Sequence, residues 1–491
     1  TGLKENEMRK STLAAVSAAV LVALAGCTVG PDFVRPAVQS PAAWRIDYPM
    51  AAEVANTKWW EQFGDPVLNQ LIETALRDNL DVRIAAARID QFLGALTTTD
   101  SQAYPQFGYG AGAARTRASR EGQPPIPEPA SNYFSLYQAS LNAGWQVDLF
   151  GRVRRLSEAA QAQVYASQEG QRGVVLTLVT GVATSYIALR ALDRQLEIAK
   201  STAANFGETA RIFDLRFKRG LVSQTEVTQV RSQYQQALTA IPTFEQQIAA
   251  LENQISILLG RDPAPIPRGK TIDELAAPLI PAGLPSDLLQ RRPDILAAEQ
   301  NLVAANASIG VARSLYYPSL SLTGALGSTS TAFGNFLTGP ATTWSVVAGL
   351  TGPIFTFGAI EGQVRSAEAQ KAQAELVYRQ TVLGAFRDTN SALIGTQKSI
   401  EGVEYQRGRV KALREFARLS RLKFEAGLIG YLEVLVADNE LFAAELSFVN
   451  LQANRYSQAI NVYQAMGGGW VDLADAQTPR PVGMAGGPRT P

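Results

Sequence analysis

The sequence predicts a mixed α and membrane-β fold with internal duplication. Three observations predict it: a unit that recurs at a fixed offset, a hairpin of two-faced strands inside each copy, and helical runs far longer than a bilayer is thick. The repeat can be read directly. RFKRGLVSQTEV at 216–227 aligns with KFEAGLIGYLEV at 423–434, so Phe217, Gly220, Glu226 and Val227 recur 207 residues later as Phe424, Gly427, Glu433 and Val434. The same offset carries Phe150-Gly151 to Phe357-Gly358 and Gly260 to Gly467. Earlier in each copy Leu76, Asp81 and Tyr104-Pro105 recur as Leu289, Asp294 and Tyr317-Pro318 at an offset of 213. The first copy thus holds extra residues between its Tyr-Pro and its Phe-Gly, an interval that includes the Pro-rich ASREGQPPIPEPASN at 118–132.

In chain order, Met8-Arg9-Lys10 and the apolar STLAAVSAAVLVALAG form an export signal at 8–26, too short for the ~20 apolar residues of a spanning helix. TGLKENE before Met8 reads as sequence upstream of the true start. The signal ends in Leu24-Ala25-Gly26-Cys27, which resembles the lipobox of bacterial lipoproteins. That resemblance implies that Cys27, the single cysteine, becomes the lipidated first residue of the mature chain, and Thr28 after it implies the outer membrane as destination. A lipidated N-terminal linker is expected at 27–64, the first repeat at 65–260, a Pro-rich connector at 261–285, the second repeat at 286–467 and a C-terminal tail at 468–491, disordered from about 479.

Each repeat contains a switch to period two. From 133 to 147, Tyr133, Tyr137, Leu141, Trp145 and Val147 share one parity, while Gln138, Ser140, Asn142 and Gln146 share the other. In the second copy Leu320, Leu322 and Leu326 oppose Ser319, Ser321 and Thr323, then Trp344, Val346, Ala348 and Leu350 oppose Thr343, Ser345 and Thr351, with Val347 the exception. Hairpins are expected at about 105–147 and 318–355, with arms that reach the ~9 to 11 residues of a membrane-spanning strand. Hairpins packed on a soluble core would share this pattern. An open sheet edge in lipid leaves backbone groups unpaired, and four strands per chain are too few to close, so spanning strands require several chains to pool them.

The helices follow from what is missing. No proline interrupts 151–241 or 354–478, and at ~1.5 Å per residue 151–219 and 360–426 would each extend ~100 Å. Their partners show 3-4 apolar spacing, from Val227, Val230, Tyr234 and Ala237 to Leu258, and from Leu432, Leu435, Asn439 and Phe442 to Tyr463. These positions are expected to build a helical wall, and Pro242 is expected to kink or interrupt the first series. RGLVSQ at 219–224 and AGLIGY at 426–431 place Gly where a helix end wants a left-handed residue.

Composition excludes other classes. With 45 basic against 44 acidic residues, nothing advertises a nucleic-acid surface. A single Cys and no His leave no disulfide within the chain and no cysteine or histidine metal site, and neither a phosphate-binding GxxxxGK[ST] nor a GxSxG elbow occurs. Neither an enzyme nor a cofactor is expected.

CTVGPDFVRP, DLFGRVRRLSEAAQAQ, LPSDLLQRRPDILAAEQNLVAANASIGVARSLYYPSLSLTGALG and PIFTFGAIEGQVRSAEAQ resemble the outer-membrane factor family, in the NodT-like lipoprotein branch of TolC-like efflux ducts, over residues 24–470. The resemblance implies a homotrimer whose protomers contribute four strands each to one 12-stranded β-barrel, continued by an α-helical coiled-coil barrel through the periplasm. It implies a periplasmic adaptor and an inner-membrane pump, usually of the resistance-nodulation-division type, as partners, and small toxic compounds or drugs as cargo. It also places a periplasmic gate in GLIGYLEVLVADNE, where Leu432 matches the family's leucine and Val436 stands in place of its aspartate. Asp438, two residues on and ~200° around the helix, is expected to be a solvated surface charge, and Leu432 with Val436 an apolar constriction. The turns Gly220, Leu221, Val222, Ser223 and Gly427, Leu428, Ile429, Gly430 are candidate adaptor-docking sites, or merely helix caps. A type I protein-secretion exit duct shares this architecture. A structural periplasmic coiled-coil lipoprotein would share Cys27 and the heptads but not the hairpins.

Overall fold

The computed structural model describes residues 28–38, 40–41, 44–45, 56–122, 125–280 and 285–484; the expected signal at 8–26 and Cys27 lie outside these residues. Among them the chain runs α1 (Pro66–Asp78), α2 (Leu80–Ser101), β1 (Gln106–Arg117), β2 (Tyr133–Val147), α3 (Arg152–Lys218), α4 (Gln224–Leu258), α5 (Pro293–Ser314), β3 (Ser319–Ser330), β4 (Thr342–Thr351), α6 (Ala359–Glu425), α7 (Tyr431–Met466) and α8 (Trp470–Asp475). The duplication holds to the residue. α2 and α5 each have 22 residues and α3 and α6 each have 67, with both ends of each pair displaced by the sequence offsets. Gly151 and Gly358, Gly220 and Gly427, and Gly260 and Gly467 take positive φ in both copies. At Gly260 a Cβ would lie 2.2 Å from the Asp78 carbonyl oxygen, so this turn excludes every other residue type.

Contacts divide the chain into two compact units. Among the described residues, those of 28–36, 90–166 and 298–377 form the first, and those of 37–89, 167–297 and 378–484 form the second. The first contains one antiparallel sheet in the order β1-β2-β3-β4. The segment after Thr28 is strapped to this unit: the Val29 amide donates to the Phe150 carbonyl at 3.2 Å, and the Asn306 side-chain amide donates to the Pro31 carbonyl at 2.9 Å. Buried Arg155 donates to the Gly30 carbonyl at 3.4 Å and to Asp32 at 2.9 Å. Part of the expected linker is therefore a fixed piece of the fold.

The second unit is held by an apolar core and a polar hub. Trp59, Trp60 and Phe63 form one 3-10 turn, and their rings meet Tyr456, Tyr463 and Trp470; Trp59 stacks on Tyr463 at 5.0 Å. One stretch of α3 reaches a mean hydropathy of 1.6, apolar enough to cross a membrane, yet 67% of it is buried inside the chain. Val175, Val179, Val182 and Tyr186 are among the residues this helix supplies to the core. At the hub, buried Asp65 caps α1 by accepting from the Val67 amide at 2.9 Å. It also accepts from the Tyr186 hydroxyl at 2.8 Å and the Lys270 amide at 3.0 Å, while the Gly269 amide donates to that hydroxyl at 2.9 Å.

The structure adds detail to three expectations. Pro242 does not interrupt α4, which spans 35 residues with the proline inside it. The missing amide costs about 3 kcal/mol in a helix interior, but Leu238 and Ile241 beside it pack on Ala203, Phe206 and Ala237, which holds the segment helical. The Pro-rich connector is bound to the core: Ile266, Ile272 and Leu275 are buried, and the Tyr456 hydroxyl donates to the Leu275 carbonyl at 2.7 Å. The C-terminal tail is ordered in its first part, because Trp470, Val471 and Ala474 of α8 belong to the core, and the expected disorder does not begin at 479, since Val482–Met484 form a 3-10 turn.

Asp65→Ala is expected to lower stability by about 2–4 kcal/mol, about 1 for the cap and the rest for the hydroxyl and amide left unpaired. Tyr186→Phe, which removes one donor, should cost about 1 kcal/mol. Guanidinium unfolding of the detergent-solubilised protein, followed by helical circular dichroism, checks both, and equal midpoints for wild type and Asp65→Ala would contradict the hub.

Candidate channel wall and tip constriction

The strand registers decide what the sheet can do. Tyr109 faces Leu141, Leu141 faces Leu326 and Leu326 faces Trp344, so one row crosses all four strands on a single face. The next rows on that face are Phe107-Ala143-Gly324-Val346, Trp145-Leu322-Ala348 and Val147-Leu320-Leu350. The odd residues of β1 and β2 and the even residues of β3 and β4 therefore share one face that is apolar from the Val147 row to the Leu141 row, with Ser328, Ser330 and Thr342 entering only toward the hairpin-loop end. The opposite face carries Gln138, Ser140, Asn142, Ser321, Thr323 and Ser345. The sequence parity is thus aligned across every strand boundary, as a single residue slip would not allow. From the Val147 row to the Tyr137 row the band covers ten residue steps, about 33 Å along a strand and about 25 Å at a ~40° tilt, the height of an outer-membrane apolar belt.

In one chain the outer strands of this surface are largely exposed. Phe107, Tyr109, Trp344 and Val346 are 82%, 88%, 76% and 79% exposed. Beyond the band at the hairpin-loop end, the guanidinium groups of Arg115 and Arg117 sit 5.9 and 5.7 Å from the Tyr133 ring centre. Among the described residues β1 and β4 each pair on one side only.

The second site is the pair of turns between long and short helices. At the first, the Leu221 amide donates to the Arg216 carbonyl and the Gly220 amide to the Phe217 carbonyl, both at 2.9 Å; at the second, Leu428 and Gly427 donate to Lys423 and Phe424 at the same distances. Both are Schellman endings with Gly in the left-handed position. Each turn directs one branched residue inward, Val222 or Ile429, onto a shared cluster of Phe213, Val227, Val230, Tyr431, Val434 and Leu435. Each directs a leucine outward, Leu221 and Leu428 being 68% and 73% exposed. Phe213, Phe424 and Tyr431 form a contiguous aromatic group, with the Arg216 guanidinium 5.9 Å from both phenylalanine rings. The caps differ. Ser223 makes a capping box with Glu226, while Gly430 has no side-chain cap.

Of the gate candidates, Leu432 and Val436 lie together on the outer side of α7, both exposed, while Tyr431, Val434 and Leu435 turn into the cluster. Leu432 therefore leaves the 3-4 series, whose other members are buried or half-buried. Asp438 corrects the expectation of a solvated charge. It is buried and accepts from the Arg421 guanidinium at 3.0 Å through both oxygens, because the 3.6-residue turn that puts Val436 outside brings Asp438 beneath Tyr431 and Leu435. The duplication carried a signal for this: the 207 offset relates Arg421 to Asp214 and Asp438 to Arg231, and Asp214 pairs with Arg231 at 2.9 Å. Both copies tie the long helix to the short one with an ion pair, with the charges exchanged.

Burial raises the Asp438 carboxyl above the usual aspartate range, against the opposing pull of Arg421. Burial, with Asp438 nearby, also pushes the Tyr431 hydroxyl up to about 12.

The family model described as outer membrane efflux protein matches residues 71–261 and 284–468, the two copies of the repeat. The toluene efflux pump outer membrane protein TtgF of Pseudomonas putida is 32% identical over 471 residues, covering 94% of this chain and 97% of that protein. The probable outer membrane lipoprotein SilC of Salmonella typhimurium is 29% identical over 93% of this chain and 99% of its own length. Among solved structures, the open state of the MtrE outer membrane channel of Neisseria gonorrhoeae aligns with a TM-score of 0.81 at 27% identity, covering 90% of this chain and 98% of that one.

Because the folded carboxyl of Asp438 titrates above its unfolded value near 3.9, the proton it holds favours the folded tip. That contribution is complete below about pH 4 and is lost as pH rises through the folded value. Arg421→Ala removes the compensating charge and should weaken the first turns of α7 by about 1–3 kcal/mol at pH 8, with a smaller loss at pH 5. Asp438→Asn should flatten the pH dependence. Hydrogen exchange of amides 431–441, corrected for intrinsic rates, measures both, and identical protection in all three proteins would contradict the assignment.

Proposed function

The chain belongs to the outer membrane efflux protein family, and on that premise we propose that it is the gated exit duct of a tripartite pump, working as a homotrimer. The observation that carries this reading is the sheet: one continuous apolar face, one polar face and two open edges. Three copies supply the strands of a 12-stranded barrel, the smallest shared closure consistent with the family architecture, with apolar residues toward lipid and the polar face lining a wet lumen. The hairpin loops then face outward and the helices continue into the periplasm. The lumen acts passively, and energy comes from a pump in the inner membrane, of the resistance-nodulation-division type, through a periplasmic adaptor.

The tips supply the regulated part. Leu432 and Val436, exposed on one side of α7 in the isolated chain, form an apolar ring when three copies converge, and such a ring closes a pore by excluding water. Leu221 and Leu428 project from equivalent turns and offer the adaptor paired apolar knobs on rigid Schellman endings. The open state of the MtrE channel supports a duct that changes state. Small toxic compounds are the cargo, in line with the toluene named for TtgF. Lipidation of Cys27 anchors the start of the mature chain, in line with the lipoprotein name of SilC; the barrel, with its own apolar belt, does the spanning.

Single-channel conductance of the purified trimer in a planar bilayer tests the constriction. A small wild-type conductance that rises severalfold in Leu432→Ser or Val436→Ser is the expected result. Unchanged conductance in both variants would overturn the apolar gate, and a protein that stays monomeric and opens no channel would overturn the duct.

A further inference from the structure

The two hairpins are related down to their strand register. Gln106 faces Gly144 across β1 and β2, and Ser319 faces Thr351 across β3 and β4. The second pair is the first displaced by the two sequence offsets, 213 for the leading strand and 207 for the returning one. Phe107 opposite Ala143 and Leu320 opposite Leu350 obey the same rule, as do Arg115 opposite Ser135 and Ser328 opposite Thr342. The repeat is therefore a symmetry of the sheet, and the junction between β2 and β3 must have a counterpart between β4 and β1.

That counterpart is not made within one chain, where both strands are edges and four strands are too few to curl closed. Displacing the observed pairs Tyr137 opposite Ser330, Leu141 opposite Leu326 and Ala143 opposite Gly324 by the same offsets puts Trp344 opposite Arg117, Ala348 opposite Ala113 and Leu350 opposite Ala111. The parity is right, since even residues of β4 and odd residues of β1 already share the apolar face. The same displacement acts on an aromatic contact. Phe150 stacks on Tyr317 with ring centres 4.6 Å apart, and its image is Phe357 against Tyr104. In the isolated chain Phe357 touches only the neighbouring Phe355 ring among the aromatic contacts of the described residues, 6.0 Å away, and is still 96% exposed, with Tyr104 67% exposed; its φ of 48° is uncommon for a bulky residue.

We infer that a second copy of this chain occupies the free edge in this register, with β4 of one copy pairing with β1 of the next and Phe357 stacking on Tyr104 across the seam. This rests on the three-chain reading and adds the register to it. Opposed residues have Cβ atoms about 4.5–5.5 Å apart and diagonal ones about 7–8 Å, so disulfide trapping discriminates a shift of two. Leu350→Cys with Ala111→Cys, oxidised in membranes, should give a ladder ending at a covalent trimer on non-reducing gels, while Leu350→Cys with Tyr109→Cys and each single variant should not. Trapping by the second pair instead, or by neither pair in a protein that lysine cross-linking shows to be trimeric, would overturn the register. A monomer under lysine cross-linking would overturn the three-chain reading itself. For the stack, Phe357→Ala and Tyr104→Ala should each lower the temperature at which the trimer dissociates, and the double variant should lose no more than either alone; additive losses would overturn the contact.

Discussion

A backbone amide or carbonyl left without a partner in hydrocarbon costs several kcal/mol, and a sheet edge exposes a whole row of them. The structure of this chain follows from that constraint. Its four strands present an apolar face to lipid, yet β1 and β4 end the sheet with unsatisfied edges. Closure must come from other copies, and a duplicated hairpin makes it economical. The register that joins β2 to β3 inside the chain is the register available to join β4 to β1 between chains. Phe150 on Tyr317 shows what such a junction looks like when complete.

The helical unit solves a different problem, since its outer surface meets water and other chains. Its apolar material is gathered where segments distant in sequence converge: Trp59 and Trp60 from the amino-terminal stretch, Tyr186 from α3, Tyr456 and Tyr463 from α7, and Trp470 near the carboxyl end. Asp65 connects α1, α3 and the connector through buried hydrogen bonds whose partners an apolar side chain at 65 would leave unpaired. At the tips, the cluster around Phe213 and Tyr431 uses one side of α7 and leaves Leu432 and Val436 on the other. The Arg421–Asp438 pair fixes that rotation, so which side chains α7 leaves exposed is set by packing one turn away.

The legible parts of the fold were those in which local pattern and final environment agree. The strands showed because a sheet with one side in lipid and one in water must alternate, and the repeat showed because its turns require Gly and its junctions require Phe-Gly. Long helix limits followed from missing prolines. Burial of Asp438 was hidden because helical phase separates two faces without saying which one is covered; only the exchanged charges at the 207 offset, Asp214 with Arg231 and Arg421 with Asp438, encode the pairing. The roles of Trp59, Trp470 and the Pro-rich connector depend on contacts across hundreds of residues, which periodicity does not report. Pro242 broke a local rule that tertiary packing overrode.

Hydrogen exchange of β1 and β4 amides in the purified protein reconstituted into lipid nanodiscs tests the central claim most directly, since edge strands and closed strands differ most in their backbone bonds. Protection of β1 and β4 equal to that of β2 and β3 is the predicted result. Rapid exchange along the outer edges of β1 and β4, with β2 and β3 protected, would mean the sheet ends where the chain ends, and would contradict a barrel built from pooled strands.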